Sequence, residues 1–270
     1  MGDLDPITVG VFGAAGRMGA TVCAAVDADP ALSLVAAVDP GAAGRKVSEV
    51  AAVDVDLPML ASAEELAGRP GGLPAVMVDF THLDAARDDL AWCAANGVHA
   101  VVGTTGFTPE DLDRFRASFT ASNCLIAPNF AIGAILTMRF AELAAPWFET
   151  AEVIELHHDQ KLDAPSGTAM RTAERMAAAS ADWAPDPTVT HTVPGARGGE
   201  GPAGIRIHSV RMRGMVAHQE VLLGTTGETL TIRHDSYDRT SFMPGVVLAA
   251  KHIAGLPGVT IGLDGLLGLG

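Results

Sequence analysis

The chain has 270 residues, 48% of them hydrophobic, and a net charge of −14, enough for one large or two modest domains with their own cores. That acidity argues against nucleic acid and against anionic membrane surfaces as partners, and no apolar run reaches the ~18–20 residues that span a bilayer. An anionic ligand would need a locally basic pocket within an acidic protein.

The opening "MGDLDPI" has neither the basic region nor the apolar core of a secretory signal, and Pro6 stands where a myristoylation pattern wants Ser or Thr. Cys23, Cys93 and Cys124 are scattered without metal-ligand spacing. They read as small buried residues of a reducing compartment, so a cytoplasmic location is expected.

The first half alternates strand and helix patterns. "ITVGVF" (7–12) is a short apolar run ending in glycine, and helical spacing follows from Gly16 to about Ala28. "LSLVAAV" (32–38) and "PAVMVDF" (74–80) read as the next strands. "LDAARDDLAWCAAN" (83–96) is a helix stopped by Gly97, and "HAVVG" (99–103) is a strand. Thr108, Pro109, Glu110 and Asp111 supply a cap, a proline at the first helical position and early acids, before a strand at "CLIAP" (124–128). Strands alternating with helices predict right-handed βαβ units and a parallel sheet, an α/β, Rossmann-like doubly wound fold.

After Asn129 the pattern changes. "AILTMRFAELAAPWF" reads as a helix, "AEVIELHH" as a strand, and residues 167–179 as a helix. Residues 181–204 form a long irregular loop rich in proline and glycine. "IRIHSVRM", "MVAHQEVLLG" and "ETLTIRH" read as an antiparallel meander, and "PGVVLAAKHIAG" as a last helix that suits either domain. A second α+β domain with a mixed or antiparallel sheet is expected.

Three features carry chemistry. The first strand runs into "GAAGRMG", where Gly13, Gly16 and Gly19 permit a tight turn and close approach of a pyrophosphate to a helix start. Alone, this turn suits an ordinary βα connection as well as a phosphate cradle. Asp39, ending the second strand, is placed either to hold adenine-ribose hydroxyls or to cap the "DPG" turn. "DFTH" (79–82) and "GTTG" (103–106) end later strands at the same edge. The third feature is "ELHHDQKLDAPSGTA" (155–169), which gathers His157, His158, Lys161 and a helix start at Ser166. Cations beside helix N–H groups at Gly167 and Thr168 make an anion pocket suited to a carboxylate. His157, His158 and Asp163 could be imagined as metal ligands, but adjacent strand histidines diverge, so no metal is expected.

With "VGVFGAAGRMG", "VDFTH", "VVGTTGF", "APNFAIGA", "GMVAHQE" and "TIRHDSYDRTSF", this stretch resembles the 4-hydroxy-tetrahydrodipicolinate reductase family of lysine and diaminopimelate biosynthesis, through nearly the whole chain. The resemblance implies an NADH- or NADPH-dependent oxidoreductase acting on a small dicarboxylate, without nucleic-acid or membrane partners and assembled as a homotetramer. It implies a dinucleotide-binding domain (1–129), a substrate-binding and oligomerisation domain (130–241) and a C-terminal segment (242–270) returning to the first. By position, it assigns His157 as proton donor, Lys161 as its cationic catalytic partner, and His158, Gly167 and Thr168 as substrate contacts. Gly13, Ala14, Ala15, Gly16, Arg17, Met18, Asp39, Phe80, Thr81, His82, Gly103, Thr104, Thr105, Ala127, Pro128, Asn129 and Phe130 become cofactor contacts.

Pro40 stands where some members carry an arginine for a 2′-phosphate, and Arg17 could partly replace it. Two other readings compete: another nicotinamide-dependent dehydrogenase, which would not need the HHxxKxDAPSGT block, and a dinucleotide-binding redox sensor, which would need no proton donor beside an anion pocket.

Overall fold

The computed structural model describes residues 5–69 and 71–269. Met1–Leu4, at the start of the expected first domain, and Gly270, at the end of the expected C-terminal segment, lie outside them. The chain forms two units: one runs to Phe130 and takes in the segment from Phe242 onward, and the other is Ala131–Ser241.

The first unit is built from β1 (Ile7–Phe12), α1 (Arg17–Asp27), β2 (Leu32–Val38), β3 (Val76–Asp79), α2 (Leu83–Asn96), β4 (His99–Val102), α3 (Pro109–Ser118) and β5 (Cys124–Ile126). The second contains α4 (Ile132–Ala144), β6 (Thr150–His157), α5 (Gly167–Ala179), β7 (Gly199–Glu200), β8 (Arg206–Arg211), β9 (Ala217–Thr225) and β10 (Glu228–Ser236). The chain then returns with α6 (Met243–His252) and β11 (Val259–Ile261), whose strand pairs in parallel with β5 and completes a sheet of order β11-β5-β4-β3-β1-β2. The last helix thus belongs to the first unit, and β11 is a strand that the sequence pattern did not signal.

All pairings in this sheet are parallel. Both faces are covered, so the strands are continuous apolar runs: Val76–Asp79 is buried at every position. The order runs one way from β1 to β2 and the other way from β3 to β11. The carboxyl ends of β1 and β3 therefore flank a topological switch point, where ligands of such sheets sit.

α2 stops at Gly97, whose left-handed backbone only glycine adopts without cost. α3 starts with a full capping box: Thr108 accepts from the Asp111 N–H, and Asp111 accepts from the Thr108 N–H, with Pro109 in the first turn.

In the second unit the order is β10-β9-β6-β8-β7, with β6 parallel to β8 and antiparallel to β9. The expected meander is corrected here. β9 and β10 form the hairpin, but β6 is inserted between β8 and β9, so the Gly214 connection joins strands that are not neighbours. The reason is burial: β6 carries Val153 and Glu155 inward, and only a central strand hides both. α4 and α5 cover one face, where Ala141, Ala145, Ala169, Ala173 and Met176 meet Val153, Ile207, Val221 and Leu223. On α5 the buried residues Ala169, Thr172, Ala173 and Met176 recur at helical spacing. Small side chains there let the helices approach closely. The long loop is pinned to the sheet by Arg197 on Glu152 at 2.6 Å and Arg206 on Asp186 at 2.9 Å.

The capping box of α3 also sets an acid response. Arg87, followed by the Thr108 N–H, holds the Asp111 carboxyl down at about 2. The unfolded value is higher, ~3.9, so this stabilisation is present above pH ~4 and is lost as pH falls through the folded value. Asp111→Asn should therefore flatten the decline of Tm between pH ~4 and ~2 relative to the parent. An unchanged slope would show that the cap is energetically silent.

Candidate active site

At the switch point, Gly13 lies at φ 66° and packs beside Thr81 of the β3 loop. A Cβ on Gly19 would stand 2.0 Å from the Gly13 carbonyl, so the first turn of α1 is pressed onto the loop as only glycine allows. No side chain caps α1, and its first turn has no acid. The N–H groups of that helix start are therefore of a kind that suits an anion. Asp39 Oδ2 accepts from the Ala15 N–H and Oδ1 from the Gly41 N–H, both at 3.0 Å. The turn-cap reading of Asp39 is realised, since it caps its turn and ties the glycine loop, and each oxygen keeps further accepting capacity.

Beside this loop lies a cavity of about 490 Å³ lined by Gly13, Gly16, Asp39, Phe80, Thr81 and His82. Glu64, Asp88 and Asp89 also line it, and among the described residues no Lys or Arg does. Burial, and then Asp79, Asp88 and Glu64, push the Asp89 carboxyl up to about 8.

Asp79, 1% exposed, organises the remaining loops. Its Oδ1 accepts from the Thr81 N–H at 3.0 Å and from the Thr104 hydroxyl at 2.8 Å. Phe80 lies over Gly103, where a Cβ would meet its ring at 2.0 Å, and Phe80 and Phe130 pack at 5.5 Å between centroids. Ala127 donates to the Val102 carbonyl at 2.9 Å. Gly13–Met18, Asp39, Phe80–His82, Gly103–Thr105 and Ala127–Phe130 thus all follow the carboxyl ends of β1 to β5. Within that set Gly16, Arg17, His82, Thr105 and Pro128 are exposed, and Ala14 is fully buried, reaching a ligand only through its backbone.

In the second unit, β6 brings Val153, Glu155 and His157 to the helix-covered face. His157 Nδ1 lies 2.5 Å from Glu155 Oε2. Glu155 has no exposure, and Arg211 meets it with two hydrogen bonds, Nη1 to Oε2 and Nη2 to Oε1, both 2.8 Å. Burial opposes ionisation of Glu155, but Arg211, Ser209 and His157 outweigh it and hold the carboxyl below its ordinary value. Burial also lowers the His157 value; Glu155 pulls it up, while Lys161 and Arg211 push it down.

Lys161 Nζ bonds both Asp163 oxygens, at 2.8 and 2.9 Å. Ser166 caps α5 through the Ala169 N–H, and nothing lies within contact of a Cβ built on Gly167, so the helix start is open. His157, Lys161, Gly167 and Thr168 are thus carried by one strand end, one turn and one helix start. His158 lies one residue beyond the end of β6, where the chain turns, and is exposed.

The sequence reading missed Glu155, Arg211 and Asp79. Each had a signal: an acid in the buried register of an alternating strand, an arginine near the end of the strand "IRIHSVRM", and an acid ending an apolar run. Such groups require buried partners, but their partners lie 56 and 25 residues away. The second unit also has a cavity of about 540 Å³, lined by Trp183, Asp186, Arg197 and Arg206 among others. No candidate site residue borders it.

Two family models match the chain: dihydrodipicolinate reductase, N-terminus, over residues 7–130, and dihydrodipicolinate reductase, C-terminus, over residues 133–267. A 4-hydroxy-tetrahydrodipicolinate reductase of Mycolicibacterium vanbaalenii is 52% identical over 97% of this chain and 99% of its own length. Its counterpart in Mycolicibacterium smegmatis is 51% identical over the same shares. Dipicolinate-bound dihydrodipicolinate reductase from Paenisporosarcina sp. TG-14 superposes with a TM-score of 0.84 at 39% identity, over 96% of this chain and 99% of that one. An amine dehydrogenase from Mycobacterium smegmatis, 13% identical with a TM-score of 0.64, shares the fold alone. With both halves matched by their models and half of the residues identical to those of full-length relatives, the chain belongs to the dihydrodipicolinate reductase family.

Proposed function

We infer that the chain reduces 4-hydroxy-tetrahydrodipicolinate, with loss of water, to tetrahydrodipicolinate in lysine and diaminopimelate biosynthesis. The observation that carries this is the folding of one stretch, residues 155–169, into an imidazole, an ammonium and an open helix start. A nicotinamide cofactor supplies hydride when bound, so the protein must orient it, hold a dicarboxylate and deliver a proton. Gly167 and Thr168 offer N–H groups to one carboxylate, Lys161 exchanges Asp163 for substrate charge, and His157 gives the proton. The half-buried face of the second sheet opposite α4 and α5 carries Ile154, Leu156, Val210 and Leu222. Interleaved with Glu152, His208 and Glu220, these apolar residues support a homotetramer assembled through that sheet.

On cofactor choice, a carboxylate at the ribose accepts from two hydroxyls and repels a 2′-phosphate. Asp39, followed by Pro40 and bordered by Glu64 and Asp88, favours NADH, and Arg17 is the residue that could rescue NADPH. We expect NADH to be used at least as well as NADPH. The test couples pyruvate and aspartate semialdehyde through the preceding synthase and follows loss of each reduced cofactor. Absence of turnover with both would remove the reductase reading; a large NADPH preference would remove only the argument from Asp39. Asp39→Ala should move the ratio toward NADPH.

His157→Gln should lower turnover by about 10²–10⁴-fold with little change in substrate affinity. Lys161→Ala should damage both, and pyridine-2,6-dicarboxylate should bind it more weakly than the parent, as it should Thr168→Val. Near-normal turnover of His157→Gln would transfer the proton donor to Lys161 or water.

The donor form of His157 is the imidazolium, which deprotonates as pH rises. Because its value is held below the ordinary ~6.5, kcat/KM should fall with rising pH through a midpoint under ~6.5. Profiles of the parent and of His157→Gln, in which that limb should vanish, check this.

A further inference from the structure

We propose that Glu155 and Arg211 are positioning residues of this site: their ion pair holds His157 with its proton on Nδ1, so that Nε2 is the nitrogen that exchanges a proton with the substrate. The proposal rests on the reading of His157 as proton donor and names what prepares it.

An ionised carboxylate only accepts hydrogen bonds. Glu155 stays ionised because both its oxygens meet the Arg211 guanidinium, so the Nδ1 facing it must carry a hydrogen. In the neutral ring Nε2 is then the bare nitrogen, and in the imidazolium it is the nitrogen with a proton to give. The other arrangement, with hydrogen on Nε2 alone, would set two lone pairs against each other at 2.5 Å.

The same pair anchors the rest of the site. Glu155 Oε1 accepts from the Ser166 N–H at 3.2 Å, which places the cap of α5. Arg211 Nη2 donates to the Asp163 carbonyl at 2.7 Å, which places the turn carrying Lys161. One buried ion pair therefore reaches the imidazole, the ammonium and the helix start.

The charged groups around His157 come from every neighbouring element. Its own strand offers Glu155, the following turn Lys161 and Asp163, and β8 Arg211. On β9 the register partner is Ala217, and the adjacent His218 is bound to Asp235 at 2.7 Å. The first turn of α5 carries no acid. Glu155 thus favours the imidazolium, and Arg211 and Lys161 oppose it. A substrate carboxylate arriving at Lys161 would tip that balance toward the protonated ring.

The test is ¹⁵N NMR of the histidine rings in the full-length protein, with the His157 signals assigned by their loss in His157→Gln. We expect the neutral ring of the parent to carry hydrogen on Nδ1. In Glu155→Gln, near-isosteric with the parent, the His157 titration midpoint should fall by about one unit, and in Arg211→Gln it should rise by a similar amount. Opposite shifts distinguish this role from general support of the fold, which would not give them opposite signs. If Arg211→Gln does not fold, the parent tautomer and the Glu155→Gln shift decide the matter. Hydrogen on Nε2 in the neutral parent ring, or a midpoint that does not fall in Glu155→Gln, overturns the proposal. A protein without reductase turnover that shows the Nδ1 tautomer and the shifts keeps the positioning and loses the reductase reading. Normal turnover with hydrogen on Nε2 does the reverse.

Discussion

The second unit depends on a charge placed where water cannot reach it. Glu155 sits in the central strand of the sheet, without exposure, and a lone carboxylate there would cost several kcal/mol. Arg211 removes most of that penalty, because its planar fork meets both oxygens from the neighbouring strand in register. The pairing constrains topology as well as chemistry. It requires β8 to run beside β6, which is why β6 separates β8 from the β9–β10 hairpin. A buried ion pair is poor evidence of stability, since an apolar pair of equal volume often does as well. Retaining one here makes sense through what it touches: an imidazole, the turn holding an ammonium, and a helix cap.

The first unit solves the corresponding problem with Asp79. A buried acid at the end of β3 collects the Thr81 amide and the Thr81 and Thr104 hydroxyls, so two loops from different strands are fixed to one point. Asp39 joins the glycine loop to the end of β2 in the same manner. In both units, then, an acid within or ending a strand converts backbone geometry into the position of loops. The loops themselves are short and need little further support, with Phe80 packed on Gly103 and on Phe130.

Most elements were legible because each is set by neighbours in sequence. Alternation of apolar runs and helical stretches, the Thr108 and Ser166 caps and the Gly97 stop are local signals, and the elements begin and end close to where these signals lie. β11 was not legible, because a three-residue strand has no periodicity of its own and becomes a strand only by pairing with β5. The meander failed for a related reason. Strands near in sequence usually pair, and that rule cannot see a buried acid on β6 whose partner lies on β8.

The sequence by itself determined the class of fold, the family, the glycine loop and the stretch of residues 155–169, since these depend on residue types at fixed local spacing. It also determined which residue types stand at the site, His157 and Lys161 among them. Only the tertiary structure decided which strand lies at the centre of the second sheet and which unit receives α6 and β11. It alone decided what faces His157 as well. Those outcomes depend on burial and on charge pairing between residues far apart in the chain, and a carboxylate's need for a partner is visible in a sequence while the partner's identity is not.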